Sequence, residues 1–253
     1  AVLSRQGSVH AAEASYNNHW GVPLTLARMP LETDFAVIEI GMSNPGEIAP
    51  LSQMTRPHVA LVTTIGAAHL QAFDDVTGIA REKAAIIDGL VPGGIAVLNA
   101  DTETSLVLQN YASKREVTQV LFGKMSRTWK LEHVTLAQGL TLVQAFTPNG
   151  PLMFKLSTAG RHFAMNGLGI LAACAALGAD PVMAAIDLGN WVPPAGRGTH
   201  EVITFDPAIE HETLILLDDA FNANPTSVAA ALEVLAAYDP RNNVGRIVKG
   251  RRV

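Results

Sequence analysis

Two adjacent carboxylates, Asp218 and Asp219, close the apolar run TLILLDD (213–219), and Asn222 and Asn224 follow within five residues. Paired carboxylates at the end of a strand can accept hydrogen bonds from sugar hydroxyls or from a cation's water shell. A capped strand-to-helix turn, with Asn224 as the cap, is the structural alternative. Glu39 interrupts a second apolar run, AVIEIG, where an ionised carboxylate needs an ion-pair partner, a cation or a phosphate-site role. His69 stands in VTTIGAAHLQAF (62–73), where Gly66, Ala67 and Ala68 leave room for a ligand beside the imidazole; a satisfied structural histidine fits the same pattern. Lys83, in IAREKAAIIDGL, is either a solvated, snorkelling lysine or a partly buried amine. In the second case its lowered pKa would let it take up carbon dioxide as a carbamate, an anion that ligates hard cations.

Two further residues need partners. Asn166 lies in FAMNGLGILAACAAL, a helix otherwise nearly all apolar and small, so its amide requires either a helix-packing hydrogen bond or a ligand. Arg197, between Gly196 and Gly198 in PPAGRGTH, is either an anion-binding loop residue or a surface arginine. Other chemistries lack their motifs. There is no G-x-G-x-x-G after a strand and no G-x-x-x-x-G-K-[ST], since Gly123-Lys124 is followed by Met125 and has no glycine five residues upstream. Nor does C-x-x-C, H-E-x-x-H or G-x-S-x-G occur.

The elements that must position these residues alternate. FAVIEIG (35–41), HVALVTT (58–64) and IAVLNAD (95–101) read as strands, with helical patterns GEIAPLSQM and VTGIAREKAAIIDGL between them. Such alternation predicts a mostly parallel sheet covered by helices, with ligands gathered outside the carboxyl ends of the strands. That rule selects Glu39, the turn from Thr63 to His69, the turn from Asn99 to Asp101, and the turn from Asp218 to Asn224. Between 117 and 157, VTQVLFG, WKLEHVTLA, LTLVQAFT and LMFKLST are strand-like without helices between them, which predicts an antiparallel insert. Helices return with FAMNGLGILAACAAL, closed by Gly178, and PVMAAIDLG, with Asp180 as cap and Pro181 at the first turn. TLILLDD is the last strand expected, ahead of the helix PTSVAAALEVLAAY. The opening AVLSRQG reads as the tail of a helix closed by Gly7.

Composition narrows the field. With 253 residues, 48 % hydrophobic, the chain can bury a sizeable core in one large domain. Twenty-three acidic against 18 basic residues give a net charge of −5, which argues against a broad nucleic-acid face. The single cysteine, Cys174, can form no internal disulfide and reads as a buried core residue of a cytoplasmic chain. No stretch reaches the roughly 18 uninterrupted apolar residues of a bilayer span.

Taken in order, YNNHWGVPLTLARM, AVIEIGMSNPGEIAPL, TTIGAAHLQAF, IAREKAAI, AVLNAD, GRHFAMNGL, PPAGRG and DDAFNANPTSVAAALEVL resemble the Mur ligases of peptidoglycan synthesis. The resemblance runs from about residue 5 to the end, and its specificity rests on eight stretches agreeing in order. It implies an α/β fold: the P-loop-type central domain over residues 1–245, its first βα unit missing, a small antiparallel sheet insert, and 246–253 as the start of a further domain. It implies an ATP-dependent amide ligase that adds D-alanyl-D-alanine to UDP-N-acetylmuramoyl-tripeptide through an acyl phosphate. It also implies ATP and Mg2+ as cofactors, a cytoplasmic location, no membrane insertion, no nucleic acid, and a monomer at full length. By position, Glu39, His69 and carbamoylated Lys83 match the magnesium ligands, with Lys83 and His69 in the catalytic set. Asn166 matches an adenine contact, Arg197 the phosphate region and Asp219 a ribose contact; Asn222 joins this cofactor-binding set, and Asn17 and Asn18 match a pair lining the muramoyl-peptide cleft.

The chain also departs from the family pattern. The family's uridine-nucleotide-binding domain, its G-[ST]-x-G-K-[ST] loop and, past the start at 246–253, its C-terminal domain have no counterpart in these residues, so the chain by itself is expected to be inactive. Phe163 replaces the asparagine of GRHN, and SNPGEI replaces NHPGEI. A non-catalytic remnant that keeps the fold is the alternative. Folylpolyglutamate synthases share the chemistry, but NNHWGVPLTL and DDAFNANP favour the cell-wall branch.

Overall fold

The computed structural model describes residues 1–66, 71–137, 139–206, 208, 212–221, 225–243 and 249–253. Val9–Ala11 (β1) pairs in parallel with Phe35–Val37 (β2), and Gly21–Ala27 (α1) lies between them in the chain. Ile48–Thr55 (α2) leads to Val59–Val62 (β3), Val76–Ala84 (α3) runs on into a 3-10 turn at Ala85–Gly89, and Ile95–Asn99 (β4) follows. Ser105–Ser113 (α4) then precedes Thr118–Gly123 (β5), and β3, β4 and β5 pair in parallel. The α/β alternation expected from the sequence is therefore present.

The antiparallel strands are present too, but they extend the main sheet. Trp129–Ala137 (β6), Leu140–Thr147 (β7) and Gly150–Leu156 (β8) form a meander, giving one sheet of order β3-β4-β5-β6-β7-β8. VTQVLFG belongs to the parallel part as β5, because α4 crosses over ahead of it. The switch comes at β6, which touches β5 through only two parallel pairs, Phe122–Trp129 and Gly123–Lys130.

Arg161–Ala176 (α5) covers one face of this sheet. Leu168, Leu171 and Ala172 are almost fully buried against Val97, Phe122, Val143 and Leu156. The small residues of α5 allow that closeness: a Cβ on Gly169 would come within 2.7 Å of the Phe122 ring, and one on Gly167 within 3.0 Å of Phe154. On the other face, Ala96 and Leu98 pack with Val62, Ile87, Leu108 and Ala112, so β4 alternates its side chains between two cores. Cys174 is 3 % exposed and burial pushes its thiol up to about 11, in keeping with a core cysteine.

Pro181–Leu188 (α6) starts as read, with Asp180 Oδ1 accepting from the Val182 and Met183 amides at 2.7 and 3.3 Å. The opening residues differ from the expected helical tail. They form successive turns, Ser4 N to Ala1 O and Gln6 N to Leu3 O, and are tied to α6 by Arg5–Asp187 at 3.0 Å and Gln6–Asp180. FAVIEIG is a strand only as far as Val37, since the Gly41 amide is diverted to Asn17 O at 2.8 Å and the chain leaves the ladder. TLILLDD does form the expected strand, but not in the main sheet. It is Thr213–Asp218 (β10), antiparallel to Thr199–Thr204 (β9) in a separate two-stranded sheet, with Leu214, Ile215 and Leu216 all exposed. Pro225–Ala236 (α7) follows without a buried residue, and the proposed cap Asn224 lies outside the described residues. No helix among the described residues is long and apolar enough to cross a membrane.

The 3-10 turn is pinned to α4 by one polar cluster. Tyr111 donates its hydroxyl hydrogen to Asp88 Oδ2 at 2.8 Å, Arg115 donates to Asp88 Oδ1, and the Arg115 guanidinium carbon lies 3.6 Å from the Tyr111 ring centroid. Burial, then the Asp88 carboxylate, pushes the phenol up to about 12.

Two outcomes are expected. Phe122→Ala should destabilise the fold by about 3–5 kcal/mol in urea unfolding, because it empties the site that faces Gly169. The folded state holds the Tyr111 proton more tightly than the unfolded chain, so this contribution is complete below about pH 10 and fades as pH rises toward about 12. Phenolate absorbance of the native protein minus that of Tyr111→Phe should show a phenol titrating near 12; a midpoint near 10 would mean the cluster is open.

Candidate active site

Beyond β2 the chain bends around Asn17. The Asn17 Nδ2 donates to Glu39 Oε1 at 2.8 Å while its carbonyl accepts from the Gly41 amide at 2.8 Å. A Cβ at Gly41 would stand 2.9 Å from the Asn17 amide nitrogen, so glycine is what allows the approach. The structure exposes Glu39, and its second oxygen, Oε2, has no hydrogen-bond partner among the described residues; the burial expected from AVIEIG is not seen, because β2 has already ended. Asn18 serves its own helix: its Oδ1 accepts from the amides of Trp20 and Gly21, both at 3.0 Å, at the start of α1.

Lys83 stands in the last turn of α3, whose first turn is capped by Asp75 accepting from Gly78 N at 2.6 Å. Burial lowers the Lys83 amine, and the Glu39 carboxylate opposes that shift, so the two groups act on each other electrostatically. A lowered amine is the form that reacts with carbon dioxide, and a carbamate beside an exposed carboxylate would supply the oxygen donors a hard divalent cation prefers. Glu39 and Lys83 thus fit such an ion, although no cluster of three ordinary ligand side chains occurs among the described residues. His69 and Asn222, both expected at the site, lie outside the described residues.

A second group gathers where the Pro194–Gly198 loop zips onto the end of β10. Gly198 N donates to Asp218 O and Phe221 N to Gly196 O, each at 2.9 Å. Gly196 and Gly198 hold φ of +75° and +78°, the left-handed region that favours glycine. The exposed Arg197 is thereby laid over the Phe221 ring, 4.5 Å from its centroid. Burial raises the Asp219 carboxyl; His162 and Arg197 pull it down, and the neighbouring Asp218 adds to the rise. Asn166 lies one turn along α5 from His162 and Phe163, half-buried, with no hydrogen-bond partner among the described residues. Phe163 stacks on His162 at 4.0 Å between centroids and tilts against Trp191 at 5.7 Å. Asn166, Arg197 and Asp219 so share one region, while Glu39 and Lys83 share another; no hydrogen bond or ion pair joins the two among the described residues.

The remaining turn selected from sequence is structural. Asn99 is buried, donates to Thr63 O at 2.7 Å and accepts from Asp101 N, and the Asp101 carboxylate takes the amides of Lys124 and Met125.

The family description "Mur ligase middle domain" matches residues 1–177. The chain belongs to the Mur ligase family. Among Mur ligases, the UDP-N-acetylmuramoyl-tripeptide--D-alanyl-D-alanine ligase of Escherichia coli (strain K12) is 35 % identical over 236 residues, which cover 93 % of this chain and 51 % of that one. The ligase of the same name from Bacillus subtilis (strain 168) is 35 % identical over 241 residues, 94 % of this chain and 49 % of its own length. A crystal structure of MurF from Acinetobacter baumannii superposes with a TM-score of 0.86 at 29 % identity, covering 94 % of this chain and 50 % of that one. MurF ligase from Thermotoga maritima in complex with ADP shares the fold, with a TM-score of 0.78 at 23 % identity over 95 % of this chain and 53 % of that one. The chain spans about half the length of the Mur ligases it matches.

One residue beside the metal candidates escaped the sequence reading. Glu82 accepts from Gly46 N at 2.8 Å and Ile48 N at 2.9 Å, so the residue next to Lys83 holds the start of α2 and the loop that follows Glu39. The only signal was a carboxylate adjoining the lysine in IAREKAAI. The aromatic support of Arg197 by Phe221 was likewise missed, because the two lie 24 positions apart in sequence. Glu82→Ala should cost about 1–3 kcal/mol, since both amides lose a charged acceptor, and should speed hydrogen exchange at Gly46 and Ile48. Unchanged exchange at those two amides would show the clamp to be dispensable.

Proposed function

We propose that this chain carries the nucleotide and metal half of an ATP-dependent carbon–nitrogen ligase, the one that joins D-alanyl-D-alanine to UDP-N-acetylmuramoyl-tripeptide in the cytoplasm. The observation that carries the reading is the match to ligases of that name over nine-tenths of the chain, in which Asn17 orients Glu39 and the Glu39 carboxylate acts electrostatically on the half-buried Lys83. In such a reaction ATP converts the tripeptide carboxylate into an acyl phosphate, and the amine of the dipeptide attacks it with loss of phosphate. A bound Mg2+ would neutralise charge on the transferring phosphoryl group.

The protein's own residues take the following roles. Glu39 presents a carboxylate whose direction is set by Asn17, and Lys83, as a carbamate, supplies a second anionic donor with His69 as the third ligand. Asp219 accepts from the nucleotide sugar. Burial works against its ionised form, and the nearby His162 and Arg197 favour the ionised acceptor. Arg197, braced on Phe221, meets the phosphates, and Asn166 and Asn222 face the nucleoside. Asn17, already bonded to Glu39, links the acceptor-peptide side to the metal side, with Asn18 shaping that loop. The full-length enzyme is read as a monomer that enters no membrane.

A second reading is a non-catalytic chain that keeps the fold. One assay separates the two. ADP release and pentapeptide formation would be followed with ATP, Mg2+, UDP-N-acetylmuramoyl-tripeptide and D-alanyl-D-alanine. The proteins compared are the 253-residue polypeptide and the product of the whole reading frame that encodes it. The polypeptide alone is expected to be silent, and the whole product active and reduced at least about 100-fold by Lys83→Ala. A silent whole product would favour the non-catalytic reading, and glutamate addition to a folate would move the chain to the folylpolyglutamate branch.

A further inference from the structure

Arg197 is exposed, yet the backbone on either side of it is gripped. Before it, a Cβ on Gly196 would stand 3.2 Å from Phe221 Cβ; after it, a Cβ on Gly198 would stand 3.1 Å from both Cε2 and Cζ of the Phe163 ring. Two aromatic residues from different parts of the chain thus clasp one loop, each through a glycine. Phe221 also lies beneath the guanidinium itself, whereas Phe163 meets the loop at its backbone and so acts on where the loop lies.

The Phe163 ring is itself held in place. His162 stacks on it at 4.0 Å between centroids, Trp191 tilts against it at 5.7 Å, and it packs on the core beneath α5. The turn into α5 makes room for it: Gly160 has φ of +153°, and a Cβ there would lie 2.8 Å from Phe163 Cδ2. Gly198 is fixed from two more directions, since Thr158 Oγ1 donates to its carbonyl at 3.2 Å and its amide donates to Asp218 O at 2.9 Å. An asparagine at 163, the residue of the GRHN pattern, has no ring to set beneath this glycine. A cation carried by a loose loop loses backbone freedom when its ligand arrives, which weakens binding; a loop already seated on a ring has lost it beforehand.

We infer that Phe163 is a positioning residue for this chain's nucleotide site: its ring seats Gly198 and thereby holds Arg197 in place for the phosphates. The inference rests on the nucleotide reading of Arg197 and adds to it a residue at which this chain departs from the family pattern. The competing account is a ring that serves core packing alone. Loss of such a ring would weaken the fold as a whole and would act on nucleotide binding independently of Arg197.

The test is a double-mutant cycle on ADP affinity, measured by titration calorimetry on the product of the whole reading frame with Phe163→Ala, Arg197→Ala and the two together. Each single change should weaken ADP binding about tenfold, and the pair by no more than about twofold beyond the worse single, because a residue that acts through Arg197 has nothing to act on once Arg197 is gone. Phe163→Leu, which keeps apolar bulk in the core, should show the same pattern at smaller size, so a Phe163→Ala protein that fails to fold leaves the cycle intact. In the Phe163 variants, hydrogen exchange at the Gly198 and Phe221 amides should quicken at least about tenfold more than exchange in β4. Penalties that multiply to about a hundredfold, an ADP affinity unmoved by the Phe163 changes, or exchange at those two amides that follows β4 would overturn the inference and leave the nucleotide reading standing. A wild-type product that binds no ADP would overturn both.

Discussion

The close approach of α5 to the central sheet is the constraint on which the rest depends. It brings Gly169 so near Phe122 that a methyl group would stand 2.7 Å from the ring, and it buries Leu168 and Leu171 against side chains from β4, β5, β7 and β8. Helix and sheet surfaces usually keep a side chain's distance. Here the glycines of NGLG remove that spacer, and the dispersion contacts of a dense interior take its place. The same helix begins with Arg161, His162 and Phe163 and carries Asn166 one turn later, so its docking fixes where those groups stand relative to β10 and the glycine loop. Core packing and site geometry are set by one contact surface.

The second half of the site is held by hydrogen bonds more than by packing. Glu39 lies past the end of its strand, and what fixes it is Asn17 from another loop. Lys83 lies on a helix whose neighbouring Glu82 holds the loop after Glu39. Two carboxylate-to-amide contacts therefore join the elements that carry the proposed metal donors. A backbone amide is a directional donor, so Glu82 restrains orientation as well as distance, which nonpolar contacts alone do less well.

Much of this was legible from residue types in order. The α/β alternation, the capping of α6 by Asp180, the burial of Cys174 and the family likeness all rest on local patterns, and local patterns survive folding. What could not be read was pairing at a distance. Nothing in VTQVLFG says that its neighbour is β4 on one side and the start of β6 on the other. TLILLDD has the composition of a buried strand, yet pairing with β9 alone leaves three consecutive apolar residues exposed, because burial is a property of what covers a strand. Glu39 shows the same limit: its run is apolar, but the ladder stops at Val37 and the carboxylate emerges. At the site, residue identities were legible one by one, whereas Glu82, Phe221 and His162 gained meaning only from contacts across the chain.

Burial acts on the two clusters in a common direction. It lowers the Lys83 amine and raises the Asp219 carboxyl, so each group is moved toward its neutral form, and in each case nearby opposite charge offsets only part of the shift. Glu39 opposes the change at Lys83, and His162 with Arg197 opposes it at Asp219. A folded chain gains no stability from leaving ionisable groups partly desolvated and partly compensated; full burial with a partner or full exposure would serve it better. The arrangement makes physical sense where the remaining compensation comes from outside the chain. In the proposed reaction a divalent cation would bring positive charge to Glu39 and to a lysine carbamate, and a polyphosphate would meet the Arg197 guanidinium. That is the electrostatic form expected of a nucleotide–metal site, where preorganised partial compensation is kept for the ligand.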